Sequence, residues 1–394
     1  MYLCTCVVLS RIFYICNEVR KKSVEIRIVL VTLMAALLLL TACGIGTGDD
    51  RTLLEDGYEK AFFAQGFLLA THQDHVLICD PTHPGEILQS LHFIDSGLKQ
   101  PAELCIRRDS PRYVCLSSVY MAFLTTLGET ANIVGAPDSS YLFDSRSKTL
   151  IRQGRMAVVT HGAAVDVEKI LALSPTVVFA NRMQKGELHQ LIKKGIPVVF
   201  PDEFNENTPL GRTEWIRVFG RIAGKQALAD SLFSQIVLRY QNLQQLTAQL
   251  AINRPTIFGG MEFQGIWYVS GGLSYIAHLY RDAGADYLFD DNVSPASIPL
   301  DFEVVLDRGA SSDFWRIILA HPDTISYDLI AKANRHYTKF SAFQNKKVIA
   351  CNPSLTAYFE KGILEPDVVL SDLIYAVHPE LLPEYLPTYY KIIK

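Results

Sequence analysis

One stretch constrains this chain more than any other. From Gln226 to Ala251 apolar residues recur at helical spacing, as Leu228, Leu232, Phe233, Ile236, Val237, Tyr240, Leu243 and Leu246, until Arg254-Pro255 stops the pattern. A helix over 226–251 has about 26 residues and runs roughly 39 Å at 1.5 Å per residue. That is long for a globular helix, and it fits a spacer crossing from one lobe to another. A shorter helical pattern precedes it, with Trp215, Val218, Phe219 and Ile222 in register up to Gly224.

On both sides of this strut, short β-branched runs alternate with helical stretches. Before it, strands are expected at 113–117, 177–180 and 197–201, with helices at 119–127, 165–173 and 187–194. After it, strands are expected at 256–260, 266–269, 316–320 and 347–351, with helices at 274–283, 302–310 and 367–377. Such alternation argues for parallel sheets flanked by helices. The fold class is therefore α/β: two lobes with mainly parallel sheets, joined by one long rigid helix. Runs at 67–71 and 75–79 add a small antiparallel element ahead of the first lobe. The expected division is 53–211 for the first lobe, 212–253 for the strut and 254–394 for the second lobe.

The chain of 394 residues is long enough for two such cores, and its net charge of −4 gives no basic footprint for nucleic acid. Arg20-Lys21-Lys22 precede an apolar run from Ile28 to Leu40, which ends in Leu40-Thr41-Ala42-Cys43. A basic flank, about a dozen apolar residues and then small residues read as a secretory signal, too short for the ~20 residues of a membrane span. The ending resembles the bacterial lipobox, which makes Cys43 the lipidated first residue of the mature chain. Residues 44–52 read as a flexible tether, and the apolar patch over 2–16 leaves the true start open. Among the remaining cysteines, Cys79, Cys105, Cys115 and Cys351, no Cys-x-x-Cys signals zinc. A Cys105–Cys115 bridge and buried thiols both remain open there.

An internal echo links the two halves. Asp166-Val-Glu168 and Asp301-Phe-Glu303 each open a helix that leads into a strand. With the stretches 165–180 (VDVEKILALSPTVVFA), 271–284 (GGLSYIAHLYRDAG) and 365–380 (EPDVVLSDLIYAVHPE), the chain resembles the periplasmic binding proteins for ferric siderophores, haem and cobalamin over about residues 110–394. The resemblance implies two lobes around a cleft and a small hinge motion. It also implies delivery of a metal chelate, siderophore, haem or corrinoid, to an ABC importer permease dimer, with a lipid anchor at Cys43 holding a monomer to a bacterial membrane. It assigns importer docking to Glu168 and Glu303. Acidic residues in a first helical turn also serve the helix dipole, and that alternative stands beside docking.

Ligands in open α/β lobes sit beyond the carboxyl ends of strands, which nominates loops on each side. In the first lobe the candidates are Ser118, Tyr141, His161, Asn181 and Arg182; in the second they are Phe263, Trp267, Tyr275 and Tyr358. Aromatic faces suit a large planar or chelate ligand. Arg152, Arg155 and Arg182 are candidates for an anionic periphery. No His/Asp/Glu set for a naked metal ion stands out and no cofactor is implied, so a preassembled complex is expected. Gly-x-Ser-x-Gly is absent and no acid–base pair stands out, which argues against an enzyme.

Overall fold

The protein is described by a computed structural model covering residues 57–71, 75–83, 85–94, 104–250 and 254–394. The signal, Cys43, the tether and the end of the strut at 251–253 lie outside the described residues. Among the described residues no helix is long and apolar enough to cross a membrane.

The described residues begin with a five-stranded sheet in sequence order: β1 (Tyr58–Lys60), β2 (Phe67–Ala70), β3 (His75–Cys79), β4 (Ile87–Ile94) and β5 (Leu104–Arg107). Its pairs are antiparallel except the last, β4 with β5, which is parallel. The loop between β1 and β2 is held in an unusual way. Glu214 accepts the backbone N–H groups of Phe62, Phe63 and Ala64 at 2.7–3.0 Å, and Glu206 accepts those of Gln65 and Gly66 at 2.8–3.0 Å. Five successive N–H groups thus converge on two buried carboxylates, the anion-cradle geometry of a backbone nest.

The first lobe is built on a wholly parallel sheet of β6 (Tyr113–Cys115), β7 (Ile133–Ala136), β8 (Ala157–Val158), β11 (Val177–Phe179) and β12 (Val198–Val199), in the order β12-β11-β6-β7-β8. Its central strands are apolar and buried on both faces, as helix-covered parallel strands must be. A hairpin of β9 (Thr160–His161) and β10 (Ala164–Val165) stands outside it. Cys115 is a buried thiol at the centre of this sheet rather than half of a bridge to Cys105.

The second lobe carries β13 (Thr256–Gly259), β16 (Asp286–Tyr287), β18 (Phe314–Ile318), β19 (Val348–Cys351) and β20 (Lys391–Ile392) in the order β16-β13-β18-β19-β20. All its pairs are parallel except the last. The run 266–269 departs from the expected parallel sheet. It forms β15 (Ile266–Val269) between β14 (Glu262–Phe263) and β17 (Ile298–Leu300) in a separate antiparallel sheet. The reason lies in its side chains: Trp267 and Val269 are buried while Ile266 and Tyr268 are exposed, the alternation of a one-sided strand.

Between the lobes runs a 23-residue helix, Gln226–Ala248, about 35 Å long at 1.5 Å per residue. Ala229 and Phe233 pack into the first core with Trp215 and Phe219, whereas Ile236 and Tyr240 pack into the second with Tyr280 and Leu373. The apolar run before it is split at Trp215 into helices Pro209–Glu214 and Ile216–Ile222. Gly220 lets the latter approach the long helix, since a Cβ there would lie 2.4 Å from that of Ala229.

A second crossing follows β19. Glu360, on the short helix Tyr358–Lys361, accepts the backbone N–H groups of Phe143 and Asp144 in the first lobe. Thr213 donates to the carbonyl of Ile363, and Leu364 is buried in the first core. The chain then returns as helix Pro366–Val377, pinned to the long helix by Arg239–Asp367 at 2.5 Å.

Candidate functional site

A cavity of about 220 Å³ opens between the lobes where these crossings meet. The first lobe and the helix after it contribute Val119, Glu203, Phe204, Pro209 and Arg212. The second contributes Tyr275, Leu279, Tyr358 and Phe359, and the returning chain adds Ile363, Pro366 and Val369. Val119 follows β6 and Glu203 follows β12, so the first-lobe wall lies beyond the carboxyl ends of parallel strands, as open α/β sheets dictate.

Local sequence explains how each group is aimed. Thr208 caps the helix Pro209–Glu214, its Oγ1 accepting from the Gly211 N–H at 3.0 Å, with proline at the first helical position. That places Arg212 on the wall. Arg212 donates to the carbonyls of Glu206 (3.0 Å) and Phe204 (2.5 Å), and its guanidinium lies 3.6 Å from the centroid of the Tyr275 ring. Ser274 caps the helix Tyr275–Asp282 and so fixes Tyr275 at its first turn. The hydroxyls of Tyr275 and Tyr358 stand 3.5 Å apart. Burial holds the Tyr358 phenol well above the usual tyrosine range, so it is a neutral hydroxyl in the wall. Phe204 and Phe359 are more than half exposed and form an aromatic rim.

Behind the tyrosines sits Arg316, only 6% exposed, donating to the hydroxyl of Tyr390 and facing Tyr280, Tyr275 and Tyr358. On the opposite wall Glu203 is 6% exposed, and its Oε2 has no hydrogen-bond partner among the described residues. Burial pushes its carboxyl up to about 8, against the opposing effects of its own backbone N–H and then of the Arg212 charge. The wall is thus mostly apolar and aromatic with a few polar groups. That composition suits binding rather than chemistry.

Of the residues nominated from sequence, Tyr275 and Tyr358 line this cavity. Ser118 is buried beside Val119 in the first turn of helix Ser118–Thr126. Tyr141 ends the short turn Ser139–Tyr141. His161 is exposed on the β9–β10 hairpin, and Phe263 is 64% exposed on β14. Asn181 caps the turn Arg182–Gln184. Arg182 bridges Asp80 and Asp202, each at 3.3 Å; Arg152 and Arg155 are exposed. Trp267 requires a correction. It is fully buried among Phe258, Trp315, Tyr337 and Phe340, with its indole N–H donated to the Gly259 carbonyl at 3.0 Å, so it serves the second core.

Glu168 and Glu303 are exposed in the first turns of helices Val167–Ala172 and Phe302–Gly309. Asp166 caps its helix through the Lys169 N–H at 2.9 Å, whereas Asp301 makes no such bond. Of the two aspartates that open these helices, Asp166 alone acts as a side-chain cap. Sequence reasoning passed over Glu203, Phe204 and Arg212. The signal for Arg212 was local, a Thr-Pro helix start close after β12. It also passed over buried Asp80 and exposed His83 and Glu86, whose ligand atoms lie within 4.8 Å of one another.

The comparisons with known proteins agree with this architecture. A family model described as periplasmic binding protein matches residues 114–355. An uncharacterised lipoprotein of Methanocaldococcus jannaschii is 25% identical over 281 residues, covering 68% of this chain and 65% of that protein. A periplasmic haem-binding protein from Roseiflexus aligns with a TM-score of 0.54 at 19% identity, over 69% of this chain and 99% of the other. An ABC transporter substrate-binding protein from Listeria monocytogenes aligns with a TM-score of 0.54 at 15% identity, over 69% and 100%.

Proposed function

Because this chain belongs to the periplasmic binding protein family, and is thereby a solute-binding protein rather than an enzyme, we propose that it captures a preassembled metal chelate and hands it to an ABC importer. The chelate is a ferric siderophore, haem or a corrinoid such as cobalamin. The observation that carries this reading is the cavity between the lobes, where Arg212 stacked on Tyr275 meets Tyr358, Phe204 and Phe359. Aromatic faces take the body of a large chelate, and the guanidinium attracts an anionic or acceptor-rich periphery. The haem-binding likeness of the Roseiflexus protein supports the ligand class. The lipoprotein name of the methanogen relative supports anchoring through Cys43.

Glu168 and Glu303 are the docking charges in this reading, one on each lobe and both exposed. The importer permease dimer would meet them with basic residues. The test is a thermal-shift titration of the purified protein with haemin, ferrichrome and cyanocobalamin. A ligand of the folded state at a hundredfold excess over Kd stabilises it by about 2.7 kcal/mol. No shift with any of the three overturns the chelate assignment. Reversing both glutamate charges should leave binding intact and abolish uptake in cells. Lipid labelling should disappear in Cys43→Ser.

A further inference from the structure

Glu203 is a buried ionisable group of the cavity wall that the chain answers only in part, through a hydrogen bond from its own backbone N–H. Its Oε2 is enclosed yet accepts and donates nothing among the described residues. An unmet buried oxygen costs about 1–3 kcal/mol, so a native protein that retains one has a use for it, and at a cavity wall a molecule from outside the chain can meet it. Arg212 is the nearby cation, but it already donates to the carbonyls of Phe204 and Glu206 and lies flat on Tyr275. The other groups acting on Glu203 do not neutralise it. Asp202 and Glu206 flank it with like charge, and Tyr120 lies buried beneath it. Tyr275 and Tyr358 face the same cavity.

We infer that Glu203 meets the bound molecule as a neutral carboxylic acid, donating a hydrogen bond to an oxygen of its organic periphery. The cavity then selects an acceptor oxygen, such as an amide or hydroxamate carbonyl, lying beside an apolar body. A cationic periphery is disfavoured, because the acid has a proton to give and Arg212 stands beside it. The raised affinity of the carboxyl for its proton, near pH 8, agrees with the geometry. This inference rests on the proposed chelate binding.

The test uses the full chain with ferrichrome and cyanocobalamin, two probes whose peripheries do not titrate between pH 6.5 and 9. Affinity for a probe that binds should be level near pH 7 and fall about tenfold by pH 9, as a group titrating near 8 loses its proton. Glu203→Gln, which keeps an N–H donor, should bind within about threefold of the original at pH 7 and lose the decline. Glu203→Leu should bind about tenfold more weakly at pH 7, since one lost hydrogen bond is worth about 1.4 kcal/mol. Binding by the original chain that stays level to pH 9, or a decline that persists in Glu203→Gln, overturns the role of Glu203 and spares the transport reading. Failure of both probes to bind at millimolar concentration overturns the role of Glu203, and the transport reading falls with it only if haemin also fails to bind. Carboxyl ¹³C resonances of the ligand-free chain give a separate check. A signal missing from Glu203→Gln should titrate near pH 8, and titration at 4–5 overturns the inference.

Discussion

In the first lobe the β12 edge of the parallel sheet is met by one side chain. Gln89 of the added amino-terminal sheet donates to the Val198 carbonyl at 2.9 Å and accepts from the Phe200 N–H at 2.7 Å, so its amide stands in for a neighbouring strand. In the second lobe the corresponding edge, β19, is met by real backbone in β20. Both devices block the pairing with foreign strands that open edges invite. Both also come from chain outside the family match of 114–355. Each addition is anchored by buried carboxylates that accept backbone N–H groups. Glu206 and Glu214 hold residues 62–66, and Asp372 holds the N–H groups of Thr388, Tyr389 and Tyr390 at 2.6–2.9 Å together with the hydroxyl of Tyr385. The lobes share a chemistry of attachment, and Asp372, Glu206 and Glu214 are all buried; what differs is the depth of the backbone they hold. Tyr389 and Tyr390 are buried beside an exposed Thr388, while Phe62 and Gln65 at the other cradle are exposed.

The largest expected effect is at the deeper anchor. Asp372→Ala strands three N–H groups and a hydroxyl, at about 1–3 kcal/mol each, so urea denaturation should record a loss of about 4 kcal/mol or more. Glu214→Ala strands the N–H groups of Phe62, Phe63 and Ala64 and one bond of the Arg217 guanidinium, but water reaches Phe62 and Arg217 keeps Asp230, so it should cost about 3 kcal/mol. If the second loss equals or exceeds the first, depth is not what separates the anchors.

A pH series sharpens the contrast within the first lobe. Burial raises the Glu203 carboxyl from 4.5 to about 8, so the folded chain keeps a proton that the unfolded chain has released. Its contribution to stability therefore declines as pH rises from 4.5 to 8 and is level beyond. Asp80 behaves oppositely. Its bonds to Thr82 and Arg182 outweigh desolvation and lower it to about 2, so its stabilisation is present above 3.8 and lost as pH falls through 2. The stability of Glu203→Gln relative to the original should accordingly grow between pH 5 and 8, by up to about 1.4 kcal/mol per pH unit. A constant difference across that range would mean that the carboxyl titrates normally. The smallest effect is at the sheet edge. Gln89→Leu should cost about 1 kcal/mol, with a rise in concentration-dependent association seen by light scattering.

Much of the fold could be read from the residues, because hydrophobic period is a local signal. The strut, the β/α alternation and the terminal helix all announced themselves in spacing. Short strands such as β7 and β20 did not, since β7 ends in Gly-Ala and β20 is two exposed residues, neither carrying the wholly buried apolar run that marks β6 and β11. The site was legible in part. Tyr275 and Tyr358 follow from the rule that ligands sit near strand ends and helix starts, and the cavity holds both. Trp267 misled because a lone tryptophan near a turn looks the same whether its ring faces ligand or core. Only the one-sided burial of β15 decides. Glu203 and Arg212 were hidden for another reason. A carboxylate next to Asp202 reads as surface charge, and the cavity it lines is completed by the long-range return of residues 358–369.

That one helix lends side chains to two hydrophobic centres has a thermodynamic corollary. Phe233 and Tyr240 are two turns apart, so melting either half exposes apolar surface that the other half needs. Heat should therefore disassemble both halves in a single calorimetric peak, with van't Hoff and calorimetric enthalpies equal.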